Sequence, residues 1–262
     1  MPENQISNSD DLWTVIAVAG LAAMSQSFVH EGCGHGLVAW LSGAHFVTVT
    51  TVAANADINS RWILAAGTAA NLTAGLTCWL MLRWKGYAPV VRYFLVIAMT
   101  GNLLSAGGYF AFSGFVKFGD WGQFIRHLKP QWGWRGGLIV LGVAMYSTAM
   151  RIAVKELKAF RRKEIPGRIR NLAVTPYFTE GIVGVLGGLL NPVGWFYVVA
   201  SALPATMGGN VGMLYFPGLA NRDGGDDGDV GLIRRDWRWI AAACAGLIVF
   251  VFVLGRGITW RR

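Results

Sequence analysis

His30, Glu31 and His35 stand inside a run from Leu12 to Leu41 that is otherwise apolar enough to cross a membrane. Imidazoles and carboxylates at that depth are costly unless something holds them, so they mark a functional site by default. Two histidines with an adjacent glutamate are the parts of metal-assisted hydrolysis: the rings chelate a zinc ion and the carboxylate takes a proton from water. The common arrangement sets the histidines four residues apart, whereas His30-Glu31-Gly32-Cys33-Gly34-His35 sets them five apart. On a regular α-helix a five-residue step turns the second side chain about 140° from the first, against about 40° for a four-residue step. A plain α-helix would not chelate. A one-residue π-bulge would return both rings to one face, and Gly32 and Gly34 permit such a distortion. Alternatively Glu31 and His35, four apart, are the ligands with His30 behind them. A third reading needs no metal and makes Glu31 part of a buried polar network.

A catalytic zinc takes three protein ligands and keeps one position open. Outside the motif the available groups are His45, His127, Asp120 and Glu180, with Cys33 a further thiolate inside it. Asp120, in Phe118-Gly119-Asp120-Trp121, is favoured because Gly119 frees the backbone to fold the carboxylate back over the first span. Its competing role is a helix cap. Glu180 opens a broken apolar segment as a ligand, a proton relay or an interfacial acid. His45 reads as a boundary residue and His127, beside Arg126 and Lys129, as a solvated one. Cys33 reads first as a small packing residue.

These groups need a scaffold, and the composition names it. The 262 residues are 54% hydrophobic and 14% charged, which describes an all-α polytopic membrane protein and leaves no polar stretch long enough for a soluble domain. One membrane domain, 1–262, is expected, with the metal-motif half at 1–112 and a second half at 113–262. Apolar segments at about 12–41, 62–82, 89–112, 136–154, 172–207 and 237–255 predict six or seven transmembrane helices, the fifth segment being broken around Gly187-Gly188-Leu189-Leu190-Asn191-Pro192. Phe46-Val47-Thr48-Val49-Thr50-Thr51-Val52 is β-branched and predicts a short strand or β-hairpin after the first span. Beside a metal site it is either an edge for an extended peptide or a plug in the bundle.

The 23 Lys and Arg against 14 acids lie in short loops, so they are topology signals and not a nucleic-acid surface. Seven basic residues in 155–170 place that loop in the cytoplasm, and two spans earlier the 83–92 loop with it; the default location is the plasma or inner membrane. Met1 to Asp11 lacks Lys and Arg, wrong for a cleaved signal, so the first span is expected to remain. The three cysteines all lie in apolar segments and form no disulfide framework. The acidic glycine-rich run Asp223 to Asp229 reads as a solvated loop and not an EF-hand.

Three elements in order resemble the site-2 protease family of intramembrane zinc metallopeptidases. They are the His-Glu motif in the first span, Gly67-Thr68-Ala69-Ala70-Asn71 in the next, and Asn102 followed by Gly119-Asp120 downstream. The chain departs from that family by the extra residue between the histidines, by Thr68 in place of proline and by Trp121 in place of a glycine after the aspartate. The resemblance covers about the first half. It implies that His30, His35 and Asp120 bind one Zn2+, that Glu31 is the base activating water, that Asn71 polarises or anchors the substrate carbonyl, and that the substrate is a membrane protein or peptide in the bilayer. The rival expectation is a catalytically inactive relative acting as a structural or partner-binding membrane subunit. A lipid hydrolase or hydroxylase, and a transporter built on the broken fifth segment, complete the alternatives.

Overall fold

A computed structural model describes residues 9–116, 118–192, 194, 203–222 and 228–262. The first span is one continuous rod in three parts. Helix α1 (Leu12–Phe28) is capped by Asp11, whose carboxylate accepts the Thr14 amide at 2.9 Å. A π-helical segment, Val29–Gly36, follows without a break, and α2 (Leu37–Leu41) completes the rod. A hairpin comes next, with β1 (Phe46–Val49) antiparallel to β2 (Ala54–Ala56) in the register Thr48 to Asn55. The remaining long helices are α3 (Arg61–Met81), α4 (Pro89–Phe115), α6 (Gln131–Lys158) and α7 (Arg168–Gly188), with the single turn α5 (Asp120–Phe124) between α4 and α6. After short π and 3-10 turns, α8 (Phe216–Asn221) and α9 (Trp237–Val249) lead to β3 (Ile258–Arg261).

Among the described residues, five helical segments are long and apolar enough to cross a membrane: 12–41, 61–81, 89–115, 131–158 and 237–254. The expected count of six or seven is therefore not reached. Helix α7 occupies much of the fifth apolar segment, but Asn171, Glu180 and its glycines dilute its apolar character. Part of that segment, including Ser201-Ala202, lies outside the described residues, as does most of the acidic run from Asp223. Outward faces carry large apolar side chains such as Val140, Val143, Ile248 and Phe252, the surface a lipid solvent requires.

Helix α4 is the central post, with Val96, Met99 and Leu104 essentially inaccessible. Small residues let α6 approach it: a Cβ on Gly142 would lie 2.3 Å from the Ala111 nitrogen, so the two backbones touch there. In the sheet, order β2-β1-β3, Val47 and Val49 face inward and are buried while the chain's last residues pair with β1 from the other side. Strand β3 was not expected from sequence. Ile258-Thr259-Trp260 after Gly257, whose φ is +92°, is the β-branched and aromatic signal that would have found it.

The hairpin is tied to the bundle by short polar contacts. Ser27 donates to the Thr51 carbonyl at 2.6 Å, Thr51 donates to the Gly187 carbonyl at 2.8 Å, and the Asn191 amide donates to Thr50 at 3.1 Å. Asn191, whose role the sequence left open, thus anchors the turn between β1 and β2. At the bundle's other end, Arg83 and Arg92 both reach Glu156, at 2.5 and 3.7 Å, so the 83–92 and 155–170 loops share one side. Arg168 joins them there by pairing with Asp10.

Candidate metal centre

The π-helical segment settles how histidines five apart can meet. An i to i+5 hydrogen-bond pattern brings positions five apart onto one face, and His30 Nε2 stands 3.2 Å from His35 Nε2. Asp120, at the start of α5, completes the group: its Oδ2 lies 3.2 Å from His35 Nε2 and 3.5 Å from His30 Nε2. A tetrahedral zinc with bonds of about 2.0–2.1 Å holds its ligand atoms about 3.3 Å apart. The three atoms match that spacing.

Proton accounting points the same way. His35 Nδ1 is 2.6 Å from the Ile63 carbonyl, which only accepts, so Nδ1 carries a hydrogen, and in the neutral ring Nε2 then presents a lone pair. Asp120 Oδ2 is buried and has no hydrogen-bond donor. His30 Nδ1 faces the Asn71 amide at 3.2 Å, and Asn71 Oδ1 is a buried orphan. Turning that amide by 180° sets Oδ1 against an Nδ1–H, removes the orphan and bares His30 Nε2 as well. Three lone-pair atoms then converge with no hydrogen between them, which requires a cation or protons in the gap.

Gly67 makes room for this group. A Cβ there would sit 2.4 Å from His35 Nε2 and 2.6 Å from His30 Nε2, so only glycine lets α3 cover the two rings. Gly34, between the histidines, packs against the same spot, its own Cβ position 2.6 Å from the Gly67 Cα.

Glu31 is not in the ligand group. Its carboxylate engages the backbone of Ala54 in β2 and lines two spaces at once. One is an inner cavity of about 70 Å3 walled by Gln26, His30, Asn71, Ser105, Tyr109 and Glu180. The other is an open cleft of about 360 Å3 between β2 on one side and Phe118, Asp120 and Gln123 on the other. Strand β2 is an edge of the sheet, and that edge borders the cleft.

The structure thus brings His30, His35 and Asp120 together, with Glu31 and Asn71 beside them. Asn71 is positioned first to orient His30, a role the sequence reading did not give it. Glu31 and His35 do not pair as ligands with His30 behind. Cys33 is exposed and outside the group. His45 is exposed, its backbone N–H donating to Asp57, and His127 is exposed. Asn102 stays within α4, its amide donating to the Ala98 carbonyl. Glu180 is fully buried at the inner cavity and accepts the Asn210 amide at 2.7 Å. Sequence reasoning missed Gln26, a polar residue in mid-span that intramembrane polarity alone could have flagged; its amide donates to Ser105 at 2.6 Å. It also missed Gly67 as a space-maker, for which the sequence holds no signal beyond the residue type.

Comparison of the chain with protein-family profiles, with curated proteins and with solved structures finds no match.

Proposed function

We propose that this protein is a membrane-embedded zinc metallopeptidase of the site-2 protease type, hydrolysing a peptide bond in or near the bilayer. The observation that carries the reading is the mutual spacing of His30 Nε2, His35 Nε2 and Asp120 Oδ2, 3.2 to 3.5 Å, beside a glutamate on the same rod. These three residues would hold one Zn2+, which when bound supplies Lewis acidity for the scissile carbonyl and acidifies water toward neutrality. Glu31 is the general base, taking the proton from water and returning it to the leaving amine. The exposed edge of β2 pairs with a substrate segment that has unwound into extended form, laying its backbone along the cleft that Glu31 lines. Asn71 fixes the His30 ring and is one of the residues lining the inner cavity, where its amide would anchor a substrate carbonyl.

In this reading the protein lies in the plasma or inner membrane with the 83–92 and 155–170 loops cytoplasmic. Its partners are the lipid bilayer and a membrane-protein or peptide substrate.

The test is metal content of the detergent-purified protein by mass spectrometry, together with cleavage of a membrane-peptide library. About one zinc per chain, lost in His30→Ala, His35→Ala and Asp120→Ala, and cleavage abolished in a zinc-loaded Glu31→Gln, are the expected results. No zinc in the wild type after supplementation refutes the metal site. Zinc without any cleavage refutes the peptidase and leaves the inactive, partner-binding relative.

A further inference from the structure

Two of the positions at which the chain departs from the site-2 protease pattern, Thr68 for proline and Trp121 for glycine, are 53 residues apart in sequence and meet in the fold. Trp121 Nε1 donates to Thr68 Oγ1 at 2.9 Å. We propose that this bond is what positions Asp120 against the two histidines, so that Thr68 and Trp121 are positioning residues for the third ligand. The inference rests on the zinc site proposed above and adds what holds it together.

Helix α5 cannot hold Asp120 by itself. It has five residues, a single turn, far below the length at which a helix is stable alone, and no side chain caps it. The chain enters it through Gly119 at φ +83° and ψ 176°, a conformation essentially reserved for glycine, so the preceding residues impose little direction. Tertiary contacts must therefore set the carboxylate, and Trp121, the residue next to it, packs with Phe124 on the Phe110 cluster and makes a hydrogen bond to α3. Its ring lies 4.4 Å from that of Phe110 on α4 and 4.9 Å from that of Phe124, and its N–H reaches α3. The rings confine the indole to a layer; the directional bond to Thr68 fixes its place within that layer.

The anchoring partner sits where it can matter most. Thr68 is 2% exposed and adjoins Gly67, the residue that covers both imidazoles, while Asn71 one turn further holds His30. One stretch of α3 thus carries the space for the rings, the orientation of one ring and the anchor of the carboxylate. Proline at 68 has no hydroxyl and glycine at 121 has no N–H side chain, so neither replacement alone could make the contact.

The experiment is zinc affinity by chelator competition, with the absorption spectrum of the Co2+-substituted protein and the melting temperature of the metal-free protein. Trp121→Phe, which keeps a ring in the aromatic layer, and Thr68→Val, which keeps the shape, should each weaken zinc binding by about 10-fold, the lower end for residues that orient ligands. Each should also alter the Co2+ spectrum. The double variant should be no weaker than either single one, and Thr68→Ser should restore wild-type affinity. A purely structural contact would lower the metal-free melting temperature without changing the spectrum. Wild-type affinity and spectrum in both single variants overturn the inference while leaving the zinc site standing. A wild type that binds no zinc overturns both.

Discussion

Gly67→Ala puts the site geometry under the most direct load. The added methyl would lie 2.4 Å from His35 Nε2, 2.6 Å from His30 Nε2 and 2.8 Å from His30 Cε1. Carbon and nitrogen atoms not bonded to each other need about 3.5 Å, so the rings or α3 must yield by about 1 Å. A metal site tolerates departures of only about 0.2 Å from its bond lengths. Overpacking of this kind costs about 1–3 kcal/mol in fold stability. Alanine in a helix interior returns about 1 kcal/mol of that through propensity. The net loss, about 0–2 kcal/mol, leaves the bundle folded while the ligand group is pushed apart. We expect a drop of 100-fold or more in zinc affinity, measured by chelator competition, with a melting temperature of the metal-free protein close to wild type. Gly136→Ala on α6, where no atom lies within 4 Å of the new methyl, is the control: it should leave zinc affinity unchanged and, through propensity alone, raise the melting temperature slightly. Unchanged zinc binding in Gly67→Ala would refute the placement of α3 over the imidazoles and the ligand geometry with it.

Zinc binding should weaken as the solution is acidified, because protons compete with the metal for histidine and carboxylate ligands; titration of metal occupancy against pH checks this. Gly119→Ala should strain the left-handed entry to α5 and weaken zinc binding more than it lowers the melting temperature, since the displaced residue is Asp120 itself. Arg168, whose side chain is 1% exposed and pairs with Asp10 while donating to the Gly231 carbonyl at 2.7 Å, ties the start of α1 to α7. Arg168→Ala should cost about 3–5 kcal/mol by stranding Asp10, seen as a lowered denaturation midpoint with zinc binding retained in the folded fraction. Deleting Cys33, which is exposed and ligates nothing, should convert the π-helical segment to α-helix and keep zinc, because the histidines become four apart.

The spans were legible because each rests on local information: some twenty apolar residues between polar ends dictate a helix wherever the solvent is hydrocarbon. Their observed bounds fall within a few residues of the apolar runs for the first three segments. Strand β1 was legible for the same reason, its β-branched run being complete in itself. Strand β3 was not, because four residues after a span carry little signal until a partner is present, and that partner lies about 210 positions earlier. Helix α7 shows the converse. Its sequence is apolar enough to read as a span, yet it carries the fully buried Glu180 into the interior, where Asn210 meets the carboxylate.

The site divides along the same line. His30, Glu31 and His35 are contiguous, so their geometry follows from one helix, and the five-residue spacing itself demanded the π-helical segment that is present. Asp120 could be named from its type and the glycine before it, but what brings it to the rings is the fold of α3 against α5, which no local pattern encodes. Gly67, Thr68 and Trp121 show the reason: each acts through space left open or a bond made at a distance, and their residue types taken singly point to nothing. The departures from the site-2 protease pattern that weaken the resemblance in sequence, the inserted residue and the Thr68 and Trp121 replacements, are in the fold the π-helical segment that aligns the histidines and the two ends of one hydrogen bond. Random breaks in that pattern would give His30, His35 and Asp120 no reason to meet, whereas breaks that compensate one another would keep them together; they lie within 3.5 Å of one another, which is the arrangement the proposed metal site requires.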